Sequence, residues 1–192
     1  MKLYISNPST KATSTLEEIN KIISKLNNLY DSACTYNQCA EENQKLRSET
    51  LPIYEGQERY HANMLSKLEE TKRQIEHDLK HLSPLQLAEK FKLTQKMDSV
   101  EREIGVYYNN YQRARASVSE IIKKISANED YIDSTPLLPT IHAHQHMITK
   151  QLNPAIKKLS KLIQTPLTTY NPSSMFYIER FQFENEDKFE LD

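Results

Sequence analysis

The chain is predicted to be all-α: an elongated antiparallel helical bundle or coiled coil of three to four helices, with an extended aromatic and acidic C-terminal tail. Three observations predict this. From Leu93 the apolar residues run Leu93, Met97, Val100, Ile104, Tyr107, Tyr111, Ala114, Val118, Ile121 and Ile125, in unbroken steps of four and three. That 3.5-residue repeat keeps one apolar seam facing a partner helix. Only 2 of the 192 residues are Gly and none is Trp, which leaves little for hairpin turns or phosphate-binding loops. The mean hydropathy of -0.72 fits long amphipathic helices with narrow seams. A seam of two residues per heptad buries less than a globular core, so such a chain calls on a second chain for stability.

In chain order, residues 1–13 carry Pro8 among Ser and Thr and are predicted to fray. The first helix should start near Ser14 or Thr15, where S-T-L-E and T-L-E-E each offer a capping box. Its seam is Leu16, Ile19, Ile23, Leu26, Tyr30, Ala33, Asn37, Ala40 and Gln44. Asn37 and Gln44 either fix register and partner, as buried amides do in coiled coils, or mark where the seam fades. Residues 48–57, with Pro52 and Gly56, read as the first break. A second helix follows over about 58–81, with Leu65, Leu68, Lys72, Ile75, Leu79 and Leu82 on its seam. The stem of Lys72 packs there while its ammonium reaches water.

The third helix, residues 83–127, is the organising element. Ser83, Pro84 and Gln86 form an S-x-x-Q capping box with proline at the first helical position. At 1.5 Å per residue it would be roughly 65 Å long. The joint Leu82-Ser83-Pro84 either reverses the chain in a tight hairpin or kinks one continuous rod; the cap signature favours a distinct bend. Tyr107 and Tyr111 on the seam ask for a core wider than a two-stranded one. Residues 128–139 read as a second linker. A fourth helix over 140–152 and 155–164 is interrupted at Asn153-Pro154, yet Ile148, Leu152, Ala155, Leu159 and Leu162 keep the alternation across it. That predicts a kinked helix with one packing face. The domain division is therefore a helical region, 14–165, and a tail, 166–192.

The tail has a different chemistry. Phe176, Phe181, Phe183 and Phe189 are four of the five Phe in the chain, and acids exceed bases from Met175 onward. Met175, Tyr177, Phe181 and Phe183 share one parity, so an extended strand would show an aromatic face. Phe176, Tyr177, Phe181, Phe183 and Phe189 are candidate partner-binding residues if the tail docks in another protein's groove or on a sheet edge. The alternatives are a fold-back over the chain's own helices and plain disorder. In composition the tail resembles the translocation signals of some bacterial secreted effectors.

Formal charge is -1, with 25 basic and 26 acidic residues interleaved. A nucleic-acid binder shows a basic excess on one face, and an anionic-membrane binder needs the same; none is visible, so no nucleic-acid partner is expected. No apolar run approaches the ~20 residues that span a bilayer, and the N-terminal stretch has no secretory apolar core. Cys34 and Cys39 lie too far round a helix to pair and read as reduced thiols in a cytoplasmic compartment. His77 and His81 stand at i, i+4 with Asp78 after the first, a spacing shared with zinc hydrolases, but the seam sets both on the outer face. In His142-x-His144-x-His146 a helix aligns only the outer two histidines. No nucleotide-binding or nucleophile-elbow motif occurs, and no cofactor is expected. The expected function is a non-enzymatic coiled-coil subunit, scaffold or adaptor of a cytosolic assembly. It would bind protein partners, as a homo- or hetero-oligomer, through its seams and its C-terminal docking segment. The alternatives are a secreted bacterial effector that binds host proteins and, more remotely, a metal-dependent hydrolase using a histidine pair.

Overall fold

The computed structural model describes residues 1–5 and 8–184. Over those residues it is an all-α fold with three long helical runs and one small pair of strands. Helix α1 (Thr10–Lys45) begins earlier than expected because Ser9 caps it. The Ala12 amide donates to Ser9 Oγ at 3.2 Å and the Thr13 amide to the Ser9 carbonyl at 3.0 Å. Ahead of it, where fraying was expected, Lys2–Tyr4 form strand β1, and Leu3 is buried.

The first expected break is absent, since the chain stays helical from Thr10 to His81. A π turn, Leu46–Thr50, joins α1 to α2 (Leu51–His81), and Pro52 sits in the first turn of α2. Proline has no N–H to return to the preceding turn. The π turn changes the bonding just before it, with the Leu51 N–H donating five residues back to the Leu46 carbonyl. The same device carries the last helical run past Pro154. There α4 (Leu137–Met147) passes through a π turn, Ile148–Leu152, into α5 (Asn153–Ile163), and the Asn153 N–H donates to the Ile148 carbonyl. The packing face is continuous across it: Ile148, Leu152, Ala155, Ile156 and Leu159 are buried, and Leu162 at its end is 38% exposed.

At Pro84 the chain reverses. Helix α3 (Leu87–Ser134) runs back along α2, pairing Glu101 with Lys72 at 2.7 Å and placing the Tyr107 ring 6.3 Å from that of Tyr60. Half of the expected capping box forms, as Gln86 Oε1 accepts from the Ser83 N–H at 2.9 Å. The second expected linker shrinks to Thr135 and Pro136, because residues 128–134 continue α3. Those residues are held there by side-chain bonds, with Tyr131 Oη donating to the Ser32 carbonyl at 3.3 Å and Asn128 donating to Glu42 and Asn43.

The fold divides into two compact units, and α1 and α3 each contribute to both. One comprises residues 41–129 and is an antiparallel hairpin of two helical arms. Every residue from Leu93 to Ile125 on the α3 seam is buried or half-buried, whereas most residues between them are exposed. Val100, Ala114 and Ile125 are buried, as is Ile75 opposite. Near the open end, buried Asn43 donates to the Ile125 carbonyl at 3.2 Å and accepts from Asn128 at 2.9 Å. Asn37, Ala40 and Gln44, expected on the first-helix seam, are exposed. The packing face of α1 slips back one position, to Cys39, Asn43 and Leu46, where α1 leaves one unit for the other. The amide that enters the hairpin is therefore Asn43.

The burial contrast along α3 gives a direct test. Ile125→Ala removes a buried side chain and should lower stability by about 2–4 kcal/mol. Val106→Thr, at an exposed position of the same helix, should change it by less than ~0.5 kcal/mol. Denaturant titration followed by circular dichroism reads both.

Candidate functional site

The other unit contains residues 1–40 and the described residues from 130 onward. In it α1 and the α4–α5 run pack antiparallel, with Glu18 facing Lys158 at 3.7 Å and Ala33 sharing a small cleft with Leu137 and Ile141. Ile19, Ile23 and Leu26 of α1 meet Ile148, Leu152, Ile156 and Leu159 in one core. Beyond α5 the chain turns at Gln164, which adopts the left-handed conformation (φ 54°, ψ 27°), and returns as an extended segment over the same helices.

An extended segment laid on helices meets a physical difficulty. Its N–H and C=O groups need partners, and helix backbones have already used theirs. Three asparagines supply them. Asn20 Nδ2 donates to the Phe181 carbonyl at 2.8 Å, and Asn20 Oδ1 accepts from the Phe181 N–H at 2.9 Å. Asn27 does the same with both backbone groups of Ile178, at 2.9 Å each. Asn153 of α5 does it with Tyr170, at 2.8 and 2.9 Å. Each amide thus imitates the edge of a neighbouring strand. The spacing fits: seven helical residues from Asn20 to Asn27 rise about 10.5 Å, and three extended residues from Ile178 to Phe181 span about 10 Å. Between the clamps the Arg180 guanidinium donates to Ser24 Oγ at 3.1 Å. Past them, β2 (Gln182–Glu184) pairs in parallel with β1, Leu3 opposite Phe183, and Lys2 pairs with Glu184 at 2.8 Å.

The tail aromatics take unequal places. Phe181 is 1% exposed and belongs to the core, together with Ile178. Phe176 and Phe183 are half-buried against that core, whereas Tyr177 is 61% exposed and meets Tyr30 edge-on at 6.4 Å. Phe189 lies outside the described residues. The aromatic face expected from parity does not form, because residues 176–181 are not a strand and the clamps set which side chains turn inward. Ile178, on the opposite parity, is buried instead.

Phe176 covers a second feature. His144 is fully buried, neither ring nitrogen has a hydrogen-bond partner, and the Phe176 ring stands edge-on to it at 6.1 Å. Burial holds its pKa below the ordinary histidine value, the backbone of Phe176 drawing it partly back. His142 and His146 point outward on the opposite face. On α2 the exposed rings of His77 and His81 stack at 4.2 Å, and His81 Nδ1–H donates to the His77 carbonyl at 2.8 Å. Among the described residues no group of three or more His, Cys, Asp or Glu is placed to hold a metal ion. Cys34 and Cys39 are both free. A wider cleft is lined by Lys21, Lys25, Lys150 and Lys158 but also by Glu17 and Glu18, so its charge is mixed. No helix among the described residues is long and apolar enough to cross a membrane.

Sequence reasoning passed over Asn20 and Asn27. The signal was present: both follow a seam residue, Ile19 and Leu26, one heptad apart. Asn153 stands out only with Pro154 as a helix interruption, and nothing local distinguishes His144 as buried. The chain matches no protein-family model, no curated protein and no solved structure.

Two outcomes follow from this geometry. Asn27→Asp keeps the acceptor for the Ile178 N–H but sets an oxygen against the Ile178 carbonyl, and should cost about 2–3 kcal/mol in denaturant titration. His144→Leu tests the buried imidazole. An unfolded histidine takes its proton near pH 6.5 and the folded one at lower pH, so stability is full above about 6.5 and falls as pH drops through that value. The loss approaches about 1.4 kcal/mol per pH unit. In the His144→Leu chain this fall should vanish between pH 6.5 and 5.5, leaving the decline at more acid pH that carboxylates such as Glu184, held low by Lys2, contribute.

Proposed function

We propose that the chain is a non-enzymatic subunit or adaptor of a multiprotein assembly, and that the α2–α3 hairpin is the element that joins it to helices of other chains. The observation that carries this reading is the incomplete burial of the hairpin seam. Leu93, Met97, Ile104, Tyr107, Tyr111, Val118 and Ile121 are each half-buried by their single partner arm. Two helices enclose a seam from one side, and a third or fourth is needed to close it. Three of the exposed apolar residues of α3 indicate where it would lie. Leu87, Tyr108 and Ile122 are 72%, 53% and 51% exposed and are separated by whole heptads, so they line one flank of the seam.

The partner this surface fits is an amphipathic helix of another chain, identical or different. The tail plays a lesser part in this reading, since its described portion is engaged with its own helices. Light scattering of the purified chain, with helicity followed on dilution, tests the proposal. A dimer or larger species that dissociates on dilution supports it. Tyr108→Glu with Ile122→Glu should then yield a monomer of unchanged helical content, lowering association by tenfold or more. A concentration-independent monomer that captures no helical partner would overturn it.

A further inference from the structure

The clamps read the peptide backbone, and that has a consequence independent of the hairpin. Asn20, Asn27 and Asn153 each engage the N–H and C=O of one residue, and β1 adds the same kind of contact to residues 182–184. Side-chain selection comes from the two buried positions, Ile178 and Phe181, three residues apart. This is a receptor for an extended segment, combining strand addition with two apolar pockets. Nothing in these contacts requires the segment to come from the same molecule.

The connection permits exchange. Gln164 is the one non-glycine residue with positive φ among the described residues, and it turns the chain out of α5 together with Thr165, which bonds back to Ser160 and Ile163. Among the described residues, 166–169 make no hydrogen bond before Asn153 takes hold of Tyr170. Six residues from 164 to 170 span up to about 20 Å when extended, enough to reach a neighbouring groove. A hinge of this kind, short and locally strained, is the setting in which identical segments exchange between copies. We propose that the groove of α1, α4 and α5 binds residues 170–184 of a second copy of this chain, exchanging C-terminal segments in a reciprocal dimer. The segment already attached acts at high effective concentration, so exchange is favoured when its own hold is weakened.

A labelled peptide of residues 170–184, titrated against the full chain and read by fluorescence anisotropy, tests this. Phe181→Ala in the full chain weakens the attached segment and leaves the groove intact; Ile178→Ala is a second such variant. The peptide should bind these chains at least tenfold more tightly than the unaltered one. Adding Asn20→Asp and Asn27→Asp should abolish binding. A helical Phe181→Ala or Ile178→Ala chain that fails to bind the peptide overturns the proposal. Equal binding of an unrelated acidic peptide of the same length overturns the assignment to a second copy.

Should both variants lose helicity, the decision falls to the chain with Ser24→Cys and Arg180→Cys, with Cys34 and Cys39 changed to Ser. After treatment with a short thiol cross-linker, a covalent dimer that grows with concentration and is suppressed by the peptide supports exchange. Cross-linking confined to single chains at every concentration overturns it. Neither arm depends on whether the hairpin seam associates.

Discussion

An α-helix satisfies its own backbone and offers nothing to the backbone of a chain lying across it. Burying an extended segment on helices therefore leaves its amides and carbonyls unpaired unless side chains intervene, and an unpaired buried group costs more than a formed bond contributes. The unit built from both ends of this chain rests on that constraint. Asn20, Asn27 and Asn153 are the right tool because one carboxamide carries a donor and an acceptor in the same plane, as a peptide group does. Their bonds position Ile178 and Phe181 in the core. The burial of those side chains in turn removes water from the clamps, so the polar and apolar contacts reinforce one another.

The hairpin unit works with a different balance. Its two arms are matched by a repeat rather than by a closed core, and polar groups sit within or beside the seam. Asn43 and Asn128 bond to each other, Glu42 accepts from Lys124 and Asn128, and Lys72 reaches Glu101. Lys124 and Asn128 hold the Glu42 carboxyl below its ordinary range, and Glu101 raises the Lys72 ammonium. Such groups add little net stability when exposed. Their value is in register: a slip by one heptad would separate every pair at once.

The sequence made the apolar repeats legible and left their interruptions obscure. The spacing from Leu93 to Ile125 coincides with what α3 buries, because a heptad repeat is a property of one helix face and needs no knowledge of the partner. The prolines differ in what they do to the chain. Pro52 reads as a break, yet a π turn before it absorbs the missing donor; Pro84 lies in a true reversal, and its difference from Pro52 is the Ser83–Gln86 cap. The tail was legible as apolar and extended but not as clamped. Which of its residues turn inward depends on two asparagines more than 150 positions away, and no local pattern carries that information.

The β1–β2 pair has a consequence for the order of folding. Leu3 and its strand partner, Phe183, lie 180 positions apart in the chain. The contacts that complete this unit are thus strongly non-local, and closing so large a loop is slow. The hairpin, contiguous over residues 41–129, can form while later residues are still being added. Until residues 178–184 are in place, the helices of this unit lack part of their apolar cover and their carboxamides lack partners.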